Sequence, residues 1–209
     1  MKLSDYTCEE FFSRSNLINY MIGLYGYTSY LEIGVNDGGN FERVHCAYKV
    51  GVDPSDKYDK ITFNTTSDEF FAQNKDTFDI VFIDGLHLSE QVVKDIQNSL
   101  EVLNPLGTIV MHDCLPNVEQ AQLRERLQDH WNGDVWKAFA HYRKDPNLIM
   151  FTLRTDQGLG FIKKGKQEVF DVPDNVDFEF YKNNIVNLMN ISSVSNALAM
   201  INKIFDDGL

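Results

Sequence analysis

The sequence has few cysteines and prolines, no long apolar run and no basic cluster, and each absence removes a class of function. Its cysteines, Cys8, Cys46 and Cys114, are odd in number, scattered and without CxxC spacing. That disfavours a disulfide framework or a structural zinc site and reads as reduced packing residues. No stretch approaches the length of a bilayer span, and MKLSDYTCEEFF has no apolar core ahead of a small-residue cleavage site. A cytoplasmic protein with no membrane partner is therefore expected. Lys and Arg number 19 against 31 Asp and Glu, a net charge of -12. With no basic stripe to offset it, this charge repels a phosphate backbone and argues against nucleic acid as a partner. Repeats, low-complexity tracts and Pro- or Ser-rich linkers are also missing, so the 209 residues read as one domain, 1–209.

What is present is core material in a regular alternation. The chain is 43% apolar and 12% aromatic, enough to offset the entropy of ordering it. Short β-branched runs recur at Thr28–Ile33, Tyr48–Val52, Phe78–Ile83 and Thr108–Met111, separated by stretches long enough to return as helices. This predicts a doubly wound, mostly parallel α/β sheet of Rossmann-like type. Leu88, Val92, Val93, Ile96, Leu100 and Leu103 share helical spacing, and Asn104-Pro105-Leu106-Gly107 then stops the helix. Leu148–Leu153 and Gly158–Ile162, joined by a short polar link, read as an antiparallel hairpin at the sheet edge. From about residue 175 the tail reads as a helical extension of two helices, which either cap the sheet or form a homodimer contact.

Tyr30 to Phe41 is a buried strand breaking into a Gly-rich turn that opens a helix, the place where doubly wound sheets bind nucleotides against backbone N–H groups. Gly34 and Gly38 let the backbone approach a ligand, whereas Asn36 occupies the position where a dinucleotide fingerprint needs its second glycine. NAD and FAD, and with them a dehydrogenase, are disfavoured. Asp53 ends the next strand, where a carboxylate accepts both hydroxyls of an adenosine ribose.

LEIGVNDGG, VGVDPS, TSDEFF, FDIVFIDGLHLSEQVVKDI and GTIVMHDCLP, in that order, resemble the class I S-adenosylmethionine-dependent methyltransferases. Within them the chain is most similar to small bacterial and viral enzymes associated with surface glycans, and WNGDVWKAF extends the likeness. The resemblance implies that Glu32 and Gly34 hold the methionine part of S-adenosylmethionine, and the turn residues Asn36 and Gly38 are expected to bind the cofactor as well. It also places Ser67 and Asp68, after the family's third strand, beside the adenine. Ser67-Asp68-Glu69 before Phe70-Phe71 reads equally as a helix start capped by Ser67.

Methyl transfer to a hydroxyl requires the oxygen to be positioned, deprotonated and stabilised. Asp84 and Asp113 follow neighbouring parallel strands, so both carboxylates emerge at one sheet edge, suited to a hard divalent cation such as Mg²⁺ or Mn²⁺. His87, three residues after Asp84, suits a general base. The set is similar to that of the macrocin and mycinamicin sugar O-methyltransferases. That likeness implies Asp84, His112 and Asp113 as metal ligands, with His112 standing where that family has Glu, and a sugar or glycan acceptor. Trp131, Asp134 and Trp136 read either as a sugar platform or as a helix start capped by Asp134 with both rings in the core. A catechol-type phenolic methyltransferase and a non-catalytic nucleotide- or glycan-binding module are the alternatives.

Overall fold

The computed structural model describes residues 12–208; Cys8 and the amino-terminal segment lie outside the described residues. Seven strands form one sheet in the order β2-β1-β3-β4-β6-β5-β7. β1 (Ser29–Ile33), β2 (Tyr48–Val52), β3 (Phe78–Ile83) and β4 (Leu103–Met111) run parallel, with Ile33 level with Val52 and Ile83, and Ile83 level with Met111. Their carboxyl ends therefore share one edge. β6 (Leu159–Lys164) joins antiparallel between β4 and β5 (Leu148–Leu153), and the short β7 (Ile191–Ser192) covers the outer side of β5.

Period-two alternation divides these strands between two cores, because successive side chains point to opposite faces. Leu31, Ile33, Val81, Ile83, Ile109 and Met111 face one cluster, covered by α2 (Ser67–Gln73), α3 (Ser89–Val102), α4 (Val135–Tyr142) and α5 (Phe178–Leu188). Tyr30, Ile80, Phe82 and Val110 face the other, covered by α1 (Arg14–Tyr25) and α6 (Val194–Asp206). The tail helices thus pack on the sheet, α6 lying against β5 and α1.

Four local expectations are corrected. The glycine turn opens only a 3₁₀ turn, Phe41–Arg43, because β2 begins too soon after it for a full helix and a return. At the place of the family's third strand there is a single bridge, Val52 to Phe63. The second hairpin strand starts at Leu159, since Asp156, Gln157 and Gly158 all adopt positive φ and form the turn instead. The hairpin is also not the sheet's edge, which β7 occupies. α1 has no counterpart in the sequence reading. Ser13 caps it through a reciprocal pair with Asn16, and Gly26 ends it at φ 67°.

Candidate active site

A cavity of about 830 Å³ opens at the carboxyl ends of β1 to β4, where ligands bind in sheets of this topology. Gly34 takes φ 90°, and a Cβ there would lie 2.1 Å from the carbonyl oxygen of Asp84, so only glycine lets β1 and the chain after β3 come this close. Gly38, at φ 81°, lies against the Tyr58 ring. Asn36 also adopts a positive φ, 51°, and its N–H donates to Asp53 Oδ2 at 2.8 Å. The other Asp53 oxygen accepts from the Ser55 N–H at 2.7 Å, so backbone donors orient this carboxylate at the cavity wall.

Glu32 reaches the same cavity from β1 but is buried, accepting from the Tyr30 hydroxyl and from Asn40 Nδ2 at 3.0 Å. Burial pushes its pKa up to about 8, despite those hydrogen bonds, so it is mostly protonated at neutral pH. Ser67 and Asp68 line the cavity as well. Ser67 is not the cap of α2: Thr66 is, through a reciprocal box with Glu69. Gln91 donates to both Ser67 Oγ at 3.2 Å and Asp68 Oδ1 at 2.9 Å, tying α2 to α3.

Opposite this half stands a cluster of ionisable groups. His87 Nε2 lies 3.3 Å from Asp84 Oδ1 and 3.4 Å from Asp113 Oδ2. Its ring stacks on Trp131 with centroids 4.8 Å apart, and its Nδ1 is buried without a hydrogen-bond partner. Nε2 is therefore the ring nitrogen that has polar partners. Burial opposes charge on His87, but Asp84 and Asp113 outweigh it and the pKa is raised. Asp84 would be raised by burial alone. His112, His87 and Arg14 instead hold it well below the usual carboxylate range. Asp113 takes φ 60°, an angle Asp tolerates better than most residues, and accepts from Asn132 Nδ2 at 2.9 Å.

His112 is packed among three carboxylates. Its Nδ1 lies 3.2 Å from Asp84 Oδ1 and 3.0 Å from Asp113 Oδ2, and its Nε2 lies 3.3 Å from Asp156 Oδ1. Burial works against its charge, yet these carboxylates hold its pKa well above the ordinary histidine value. Asp84, His87 and Asp113 do bring donor atoms within 4.8 Å of one another, a set that fits a divalent cation.

Of the three acceptor candidates only Trp131 lines the cavity. Trp136 is fully buried and packs on Tyr181. Asp134 is buried too, but its carboxylate does not cap α4. It accepts from the Ser89 N–H at 2.7 Å and so caps the start of α3, whose own N-cap residue, Leu88, has no side-chain acceptor. Two residues in the cluster were missed, Arg14 and Asp156. Arg14 Nη1 is 2.6 Å from Asp84 Oδ2, and its Nε is 3.0 Å from Asp156 Oδ2.

Residues 40–114 match a family described as a methyltransferase domain, a span that holds Asp53, Ser67, Asp68, Asp84, His87, His112 and Asp113 and begins after Glu32 and Gly34. No curated protein sequence matches the chain. The structure is similar to that of an O-methyltransferase from Bacillus cereus in complex with S-adenosylhomocysteine, at TM-score 0.54 and 14% identity over 72% of this chain and 80% of that one. It is likewise similar to an S-adenosylhomocysteine-bound methyltransferase from Podospora anserina, at TM-score 0.59 and 16% identity over 73% and 78% of the two chains. An O-methyltransferase from Streptomyces achromogenes involved in tomaymycin synthesis, in complex with S-adenosylmethionine, aligns at TM-score 0.55 and 11% identity over 73% and 79%. Identities this low establish the fold alone: the chain has the Rossmann-like fold of these methyltransferases, and its central segment, residues 40–114, matches the methyltransferase-domain family.

Proposed function

We propose that the chain transfers the methyl group of S-adenosylmethionine to a hydroxyl of a sugar or glycan, with a divalent cation assisting. The observation that carries this reading is the position of His87, whose Nε2 lies between the Asp84 and Asp113 carboxylates at the sheet edge that also bears the cofactor-type cleft. S-adenosylmethionine, when bound, supplies a methyl sulfonium open to in-line attack. Asp53 meets the ribose, Gly34 lets the cofactor lie against the backbone, and Glu32 faces its amino group. Trp131 offers an apolar surface for a sugar ring, and its own Nε1 is committed to the Leu123 carbonyl at 2.6 Å. Asp84 and Asp113 are the residues that would hold a divalent ion, which when bound lowers the pKa of a hydroxyl it touches. His87 takes the hydroxyl proton at Nε2, and the flanking carboxylates stabilise the imidazolium so formed.

The cofactor half is tested by calorimetric titration with S-adenosylhomocysteine and NAD. The protein is expected to bind the former and not the latter. Asp53→Ala should weaken S-adenosylhomocysteine by about tenfold, the scale of one charge-assisted hydrogen bond. Unchanged affinity in a variant that still melts cooperatively would show that the ribose contact lies elsewhere.

A further inference from the structure

The α1 helix delivers a guanidinium into the candidate site, in direct contact with Asp84. The Arg14 guanidinium is gripped from two sides. Its backbone N–H and Nε donate to Asp156 Oδ2 at 2.8 and 3.0 Å, Nη2 donates to Asp156 Oδ1 at 3.1 Å, and Nη1 donates to Asp84 Oδ2 at 2.6 Å. The grip is itself anchored: Asp156 sits in the left-handed turn before β6, and the neighbouring Thr155 hydroxyl donates to the Phe12 carbonyl at 2.8 Å. A side chain held through three hydrogen bonds and only 26% exposed is a fixed charge, not a mobile surface arginine.

That charge touches one of the two carboxylates that face a cation in the reading above, on which this inference rests. Asp84 Oδ2 belongs to Arg14, while Asp84 Oδ1 meets His87 and His112. A divalent ion at Asp84 therefore shares that carboxylate with a guanidinium in direct contact with it, and like charges at such range repel strongly in a partly buried site. We propose that Arg14 is a resident counter-cation of Asp84 that competes with a divalent cation for it, so that the amino-terminal helix sets how tightly the site binds metal. A merely structural Arg14 has the opposite consequence, because losing it would loosen Asp84 and weaken metal binding.

The two accounts are separated by Mn²⁺ binding to the full chain, read from the electron paramagnetic resonance of the free ion, with S-adenosylhomocysteine affinity measured on the same samples. Arg14→Gln keeps a donor for Asp156, and Arg14→Met keeps the aliphatic volume, so two neutral variants guard against a folding failure in one. Both are expected to bind Mn²⁺ about tenfold or more tightly than the wild type, whereas Arg14→Lys, which retains the charge, stays within about threefold of it. Binding by the neutral variants with none detectable in the wild type supports the proposal equally. Equal or weaker binding in the neutral variants, or none in any of the proteins, overturns it. Failure of S-adenosylhomocysteine to bind the wild type would count against the methyltransferase reading while leaving the Mn²⁺ contrast to decide Arg14.

Discussion

Replacing His87 with alanine should lower turnover by about 100-fold or more while leaving S-adenosylhomocysteine affinity within about twofold, since a general base acts in the transition state and not in cofactor binding. The geometry makes the loss specific. Nδ1 is buried without a partner, Nε2 lies between the two carboxylates, and Trp131 against the ring face fixes its orientation. The pH dependence follows from the direction of the shift. The raised pKa of His87 keeps it protonated to higher pH than an ordinary histidine, and a base works only after losing that proton. Activity measured without added metal should therefore rise with pH through a midpoint above the ordinary histidine value, and the limb should vanish in His87→Ala. His112→Ala should behave differently, because it removes a cation packed among Asp84, Asp113 and Asp156. A lower melting temperature is its expected mark. Turnover unaffected by His87→Ala would remove the base from the account.

The second large effect concerns Glu32. Its folded pKa of about 8 lies above the ordinary 4.5, so the folded state holds a proton that the unfolded chain releases. The stability this contributes is complete below 4.5 and is lost as pH rises towards 8, a difference on the order of 5 kcal/mol. Glu32→Gln should accordingly melt higher than the wild type at pH above 8, and about equally at low pH. Cofactor binding should show the functional side of the same group. An ammonium placed beside Glu32 favours its ionised form, so titration of the wild type with S-adenosylhomocysteine at neutral pH should release up to about one proton, measurable from the dependence of heat on buffer ionisation enthalpy. Glu32→Gln should bind at least tenfold more weakly and release none. Equal affinity and equal proton release in the two proteins would place the amino group away from Glu32.

The sequence revealed the parts of this molecule that depend on local periodicity. Strands buried on both faces read as short β-branched runs, and Asp84 and Asp113, each just beyond such a run, had to emerge at one edge of a parallel sheet. The site's ionic partners were not legible, because Arg14 and Asp156 meet across 142 positions and no spacing rule connects them. α1 was missed because Tyr20, Ile22, Leu24 and Tyr25 are partly buried alongside Leu17, Ile18 and Met21, which blurs any single apolar stripe. Trp131 and Trp136 looked equivalent in sequence, yet the helix beginning at Val135 turns one into the core and leaves the other at the cavity. Asp134 read as the cap of the helix that follows it, but its carboxylate caps α3, distant in sequence.

The most direct test is transfer of a labelled methyl group from S-adenosylmethionine to a panel of nucleotide sugars, deoxysugar-containing glycans and catechols, run with wild type and His87→Ala, with and without Mn²⁺. The account predicts label on a sugar oxygen, stimulated by the metal and lost in the His87 variant; label on the catechols alone, or on no acceptor while the cofactor binds, would contradict it.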